Sequence, residues 1–220
     1  MQALKRLELT LTGNPGPAQA AKAGTRPGGR SARVRTDVVA ATLSELTEKG
    51  YDQLTVDAIC HRAGVHKATV YRRWGGVDGL IADALALSAD QPWPIPDTGS
   101  VDEDIQLLAR EVYDTFTDPD LRTTPTALIG AALRSDLGAS ALSAFFTARH
   151  RQAAEVVTRA VAHGQLPAHV DPVELVRAAT APLYHRLFIT GEPLDERAAH
   201  RAAAAALLAA RAGLFDATTP

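Results

Sequence analysis

The stretch Thr55–Trp74, TVDAICHRAGVHKATVYRRW, holds the side chains in this sequence best suited to chemistry, and that chemistry is the binding of a polyanion. Lys67, Arg72 and Arg73 can pair with phosphates or with guanine O6 and N7, and Thr69 and Tyr71 offer hydroxyls to phosphate oxygens. Thr55 is placed to cap a helix whose first amide groups point at an anion. Val56, Ile59, Cys60, Ala63, Val65 and Val70 recur at spacings that give two short helices one inner face. Gly64 falls in the turn of about three residues between them. His66, Lys67, Thr69, Tyr71, Arg72 and Arg73 are then left at or near the outer face of the second helix. A bend that holds a short helix proud of its neighbours, basic side outward, is the arrangement that enters a DNA major groove.

The charge distribution agrees. Residues 1–80 carry 12 Lys and Arg against 7 Asp and Glu, while the remainder carries 11 against 18. A basic end on an acidic body implies a polyanion partner for that end only.

The elements that must position these residues read as helices throughout. Residues 1–30, rich in Gly, Ala, Pro and Thr, read as a flexible arm. A helix is expected from Ser31 to Gly50, then the pair Thr55–Gly64 and His66–Trp74, then Val77 to about Ala89. Pro92, Pro94 and Pro96 set a boundary. Beyond it, Ser100 opens a capping box for a helix to about Asp118. Thr124-Pro125 starts another to about Arg134. Further helices are expected over Ala139–His163, over Asp171–Thr190 with a kink at Pro182, and from Asp195 to near Gly213. The prediction is an all-α chain of about nine helices. A DNA-binding domain spans 31–90, its motif at 55–74, and a larger domain spans 100–215.

Several classes are disfavoured. The one cysteine, Cys60, permits no intrachain disulfide and suits a reducing cytoplasm. No run of about 18 apolar residues marks a membrane span, and the N-terminus lacks the long apolar core of a signal peptide. No nucleophile elbow, phosphate loop or dinucleotide fingerprint points to an enzyme. The nearest histidine pairs, His61/His66 and His163/His169, lack helical metal-ligand spacing, so neither a metal nor another cofactor is expected.

The segment GYDQLTVDAICHRAGVHKATVYRRWGGVDGLIADAL resembles the N-terminal domain of the tetracycline-repressor (TetR) family of transcriptional regulators. The match is carried by Gly50-Tyr51, Thr55, Ala63-Gly64-Val65, Lys67-Ala68-Thr69-Val70-Tyr71 and Trp74. The resemblance implies that Thr55 and Thr69 touch phosphates and that Tyr71 meets the DNA backbone or a base. It puts Lys67, Ala68 and Arg72 where bases are read. This sequence departs from the pattern at His66, where the family usually has Ser or Thr, and at Val77, where it usually has a phosphate-touching Lys. Arg30, Arg33 and Arg35 in or beside the arm are the candidates to compensate.

Two further stretches, RAVAHGQL and APLYHRLFITGEPLD, resemble an actinobacterial-type subgroup of the same family. That likeness implies a homodimer formed through the last two helices, with Leu183, Leu187, Ala204, Leu207 and Leu208 as interface candidates. It also implies a small-molecule pocket in the second domain, for which Phe116, Phe145, Phe146 and Tyr184 are candidates. The implied partners are a near-palindromic DNA duplex and an effector that releases the repressor from it. The rival reading from the residues alone is a helical small-molecule-binding or catalytic domain with an incidental basic helix.

Overall fold

The computed structural model describes residues 29–91 and 93–216, apart from the side chain of Arg30. The arm expected over 1–30 lies, but for its last two positions, outside the described residues. Among the described residues the chain is all-helical, with nine α-helices and no strand beyond an isolated bridge of Val170 with Asp216. Its packing forms two units, 29–91 with 123–145, and 93–122 with 146–216.

In the first unit α1 (Gly29–Lys49) buries Val38, Val39, Leu43 and Leu46, spaced three, four and seven apart on one face. Thr42 shares that face, and its hydroxyl donates to the Val38 carbonyl at 2.8 Å, so this buried hydroxyl is paired. Gly50 ends α1 with φ 77°. A 3₁₀ turn, Tyr51–Gln53, leads to α2 (Val56–Ala63). Thr55 caps α2, its Oγ1 accepting the Ala58 amide at 3.2 Å. Gly64 closes it in the left-handed region, φ 66°, where a side chain would be strained. Buried Glu45 ties α1 to α2. It accepts from Lys49 Nζ at 2.5 Å and Arg62 Nε at 2.7 Å, and those two cations, Lys49 first, hold its carboxyl below the usual range against the effect of burial. Next come α3 (Lys67–Trp74) and α4 (Val77–Ala89), which buries Leu80, Ile81, Ala84 and Leu85.

In the second unit α5 (Val101–Thr117) is capped by Ser100 and buries Val101, Ile105, Leu108, Val112 and Phe116. The next helix corrects the sequence reading. α6 (Pro119–Ala132) starts six residues before Pro125. Asp118-Pro119 is itself a cap followed by a proline: Asp118 Oδ1 accepts the Asp120 amide at 2.8 Å, and its carbonyl accepts from Leu121 and Arg122. The earlier signal prevails, and Pro125 is carried inside the helix at the loss of one amide donor. Similarly α7 (Asp136–Ala162) begins three residues before Ala139, where Ser135 Oγ accepts the Gly138 amide.

α8 (Pro172–His185) carries Pro182 and runs on as a π-helical turn over Arg186–Thr190 before Gly191, φ 63°, stops it. α9 (Glu196–Arg211) is capped by Asp195 and packs on both α8 and α5. Its alanines Ala198, Ala199, Ala202, Ala203, Ala206 and Ala210 are all buried, so small residues let these helix axes come close inside the unit. Asp171 caps α8 doubly, accepting the amides of Val173 at 2.8 Å and Glu174 at 3.1 Å. Asp171→Ala is expected to lower the unfolding free energy by about 1 kcal/mol. A urea midpoint equal to that of the unaltered protein would show that water replaces this cap without cost.

Candidate nucleic-acid interface

α3 is short, and only Val70 among its eight residues is fully buried. α3 packs on α2 and α4, which takes Val70 inward and leaves the opposite side of the helix facing solvent. Lys67, Ala68, Tyr71, Arg72 and Arg73 are exposed and Thr69 is half-buried. Tyr71 is 54% exposed, which leaves its ring and hydroxyl open to a partner. His66, also exposed, precedes the helix in an extended conformation and makes no side-chain cap bond. The first-turn amides of α3 are therefore not closed by a side chain, which leaves them to water or to an anion.

The cations differ in how freely they can act. Lys67 Nζ lies 2.6 Å from Asp57 Oδ1, but both side chains are well exposed, so the pair is weak and can be exchanged for a phosphate. Arg72 makes no ion pair or hydrogen bond among the described residues. Arg73 leans back: Nη1 donates to the carbonyl and hydroxyl of Ser31, each at 3.1 Å, and its guanidinium stands 4.9 Å from the Trp74 ring centre. Arg33 is exposed near the start of α1, on the end that Arg73 reaches. Thr55 is exposed, with one lone pair of its hydroxyl engaged in capping.

Arg35 is a correction. Its Nε lies 3.0 Å from both carboxylate oxygens of Asp83 and its Nη2 lies 2.7 Å from Oδ1, so it is bound inside the unit rather than offered to DNA. The reason is positional. Arg35 precedes the buried Val38 and Val39 by three and four residues and shares their face. The same Asp83 accepts the indole N–H of Trp74 at 2.8 Å. Burial pushes the Asp83 carboxyl up, but the donors Arg35 and Trp74 outweigh it and hold the pKa below the ordinary value. Asp83 and Gly79 both meet Trp74, and sequence reasoning passed over both. A polar residue inside the apolar run Leu80, Ile81, Ala84, Leu85 was the available signal.

In the second unit Phe116, Phe146 and Tyr184 come together, joined by Phe188. Phe146 and Tyr184 meet edge to face at 5.1 Å, and Phe116 meets Phe188 at 5.5 Å. Phe145 does not share their direction, since successive residues of a helix point about 100° apart; it is a fully buried core side chain of the first unit. Trp93 Nε1 donates to Glu111 at 2.8 Å, and Arg149 lies over the Trp93 ring at 5.5 Å. Burial, then the charge of Glu111, raises the Tyr184 pKa well above an ordinary phenol, so its hydroxyl stays protonated.

His150, half-buried beside Phe146, has its pKa lowered by burial and then by Arg177, against the opposing pull of Glu174. The unfolded chain therefore takes up this proton first as pH falls through about 6.5. The stability of this unit is expected to decline from there until the lower folded pKa is passed. His150→Phe should flatten the fall in urea midpoint between pH 7.5 and pH 5; an unchanged slope would sink this assignment.

The candidate interface residues divide. Leu183 and Leu207 are fully buried within the unit, which corrects their assignment, because they have no surface to give a second subunit. Leu187 and Ala204 are half-buried, while Leu208 is 67% exposed. Ala181, Pro182, His185 and Ile189 on α8 and its π turn are exposed, as are Arg201 and Ala205 on α9.

A glycine-closed helix pair presenting a basic outer face, on a chain that is otherwise a helical body, defines a helix-turn-helix DNA-binding regulator. Residues 38–84 match the bacterial regulatory proteins of the tetR family, and residues 95–206 match the tetracyclin repressor-like C-terminal domain. The chain belongs to the TetR family of transcriptional regulators. It is 32% identical over 160 residues to the HTH-type transcriptional regulator YdeS of Bacillus subtilis, covering 72% of this chain and 80% of that protein. It is 30% identical over 173 residues to the DNA-binding transcriptional repressor TetR of Mycobacteroides abscessus, covering 72% and 84%. Among solved structures it is similar to the TetR family transcription regulator SCO0332, with TM-score 0.61 and 30% identity over 85% of this chain and 99% of that one. Among the described residues no helix is long and apolar enough to cross a membrane.

Proposed function

We propose that α3 is the recognition helix of a dimeric repressor and that Lys67, Ala68, Tyr71 and Arg72 read base edges and adjoining backbone in a major groove. The observation that carries this is the division of α3, with Val70 inward and a basic, aromatic face outward. Thr55, Thr69, Arg33 and, in its swung-out position, Arg73 supply phosphate contacts that fix register. His66, at the uncapped start, brings the first-turn amides to a phosphate. Repression is supported by the likeness to a protein described as a DNA-binding transcriptional repressor. A chain working on DNA belongs in the cytoplasm and has no catalytic role.

The dimer forms through the outward side of α8 and α9, with Leu208, Ile189, Ala181 and Ala205 replacing the inward Leu183 and Leu207 as its centre. A small apolar or amphipathic effector is bound by the second unit, where Phe116, Phe146, Tyr184 and Phe188 supply aromatic surface. Its binding displaces α4 and alters the spacing of the two α3 helices, for which a coupling of about 1–3 kcal/mol is sufficient.

Selection of bound duplexes from a random library tests the reading. The expected product is a near-palindrome whose half-sites lie one helical turn, or a small multiple, apart. A product without two-fold symmetry, together with a monomer in sedimentation at micromolar concentration, would overturn the dimer.

A further inference from the structure

We infer that Asp83 is a positioning residue for sequence reading: through Trp74 it sets the angle at which α3 is presented to DNA. The inference rests on α3 being the recognition helix. α3 is poorly held by its own means. Eight residues are too few for an isolated helix to persist. Its start has no side-chain cap, its end is followed by Gly75-Gly76, and Val70 is its single buried side chain. Val70 lies near the middle of the helix and acts as a pivot. At about 1.5 Å of rise per residue, Lys67 stands roughly 4.5 Å from that pivot, so a tilt of about 15° moves it by about 1 Å. A displacement of that size spoils hydrogen bonds to base edges.

α4 removes this freedom at the far end of α3, where it holds Trp74 at two points one helical turn apart. Asp83 Oδ2 takes the indole N–H at 2.8 Å. Gly79, four residues earlier on the same face of α4, packs on the Trp74 carbonyl so tightly that a Cβ there would stand 1.8 Å from the oxygen. Arg35 fixes the carboxylate itself, with Nε 3.0 Å from both oxygens and Nη2 2.7 Å from Oδ1. An amide cannot replace this carboxylate. It keeps one acceptor oxygen, and its NH₂ is turned on a guanidinium that only donates. Arg73 adds its guanidinium over the indole ring. The result is a rigid link from α1 through Asp83 to the last residue of α3.

The test uses the full chain and two labelled duplexes of equal length, one recovered by library selection and one scrambled. The quantity read is the ratio of the two dissociation constants at fixed salt. Asp83→Asn is expected to lower that ratio at least ten-fold while the scrambled duplex is bound within two-fold of the unaltered protein, because non-specific binding depends on charge rather than helix angle. Trp74→Phe, which deletes the donor along with the smaller ring of the indole, should lower the ratio at least five-fold. The double variant should lose no more than Asp83→Asn alone, since both remove one interaction.

Glu45→Gln serves as the control for simple destabilisation. It weakens a buried carboxylate of the same unit that does not touch Trp74, and the ratio should stay within two-fold. The proposal is overturned if Trp74→Phe leaves the ratio within two-fold. It is overturned equally if the losses in the double variant multiply, or if Glu45→Gln lowers the ratio as far as Trp74→Phe does. Should Asp83→Asn not fold, by circular dichroism, Trp74→Phe against Glu45→Gln decides the matter. Failure of the recognition-helix reading is seen separately, as selected DNA bound normally by a variant lacking Lys67 and Tyr71.

Discussion

Gly79→Ala is expected to destabilise the first unit by about 2 kcal/mol and to weaken binding of selected DNA more than ten-fold. In most helices the change would help, because alanine is favoured over glycine by about 1 kcal/mol. Here a Cβ would stand 1.8 Å from the Trp74 oxygen and 2.8 Å from its carbonyl carbon. Both are backbone atoms, which cannot turn aside as a side chain does. Either α4 retreats or the last turn of α3 is pushed outward, and each costs packing around Val70, Leu80 and Ile81. Gly130→Ala on α6 provides the contrast. It is exposed, with nothing within 4 Å of the added methyl, and should stabilise the protein by about 0.5–1 kcal/mol. Urea unfolding of the two variants gives shifts of opposite sign. A Gly79→Ala protein as stable as the unaltered one would mean that α4 does not bear on Trp74.

The second large effect concerns the outer face of α3. Lys67→Ala combined with Tyr71→Ala is expected to cost about 2–4 kcal/mol of specific binding, a loss on the order of 100-fold, while the fold is kept. The fold should survive because Tyr71 is 54% exposed and Lys67, among the described residues, is paired with Asp57 in a solvated pair. Loss of one phosphate-neutralising cation should also reduce the slope of log affinity against log salt by about one. Anisotropy titrations at several salt concentrations measure both. Unchanged affinity for the selected duplex would remove α3 from the interface.

What the sequence revealed about this protein, and what it hid, follows from the range of the interactions involved. The helix pair at 55–74 was legible because its signals are local: Thr55 caps, Gly64 must take a positive φ, and Val56, Ile59 and Val70 repeat at helical spacing. Asp171 and Asp195 announced α8 and α9 in the same way. The start of α6 was misread because two cap-and-proline pairs lie six residues apart, and local chemistry does not rank Asp118-Pro119 against Thr124-Pro125. Arg35 was misplaced since a charged residue near a basic arm looks solvent-facing until its spacing to Val38 and Val39 is weighed. Leu183 and Leu207 were misplaced for a different reason. An alanine-rich helix suits close approach to any neighbour, and only the packed structure shows that α8 and α5 are those neighbours within the chain. Contacts such as Asp83 with Trp74 and Arg35 span 9 and 48 residues and have no periodic signature.

That α3 commits only Val70 to the interior has an evolutionary corollary. Its outward positions bear almost no share of the folding energy, so under the proposed reading replacements there change which operator is chosen while the scaffold persists. On that reading, descendants of one gene are redirected to new promoters by a few codon changes in the 67–73 stretch, without altering the packing of the second unit.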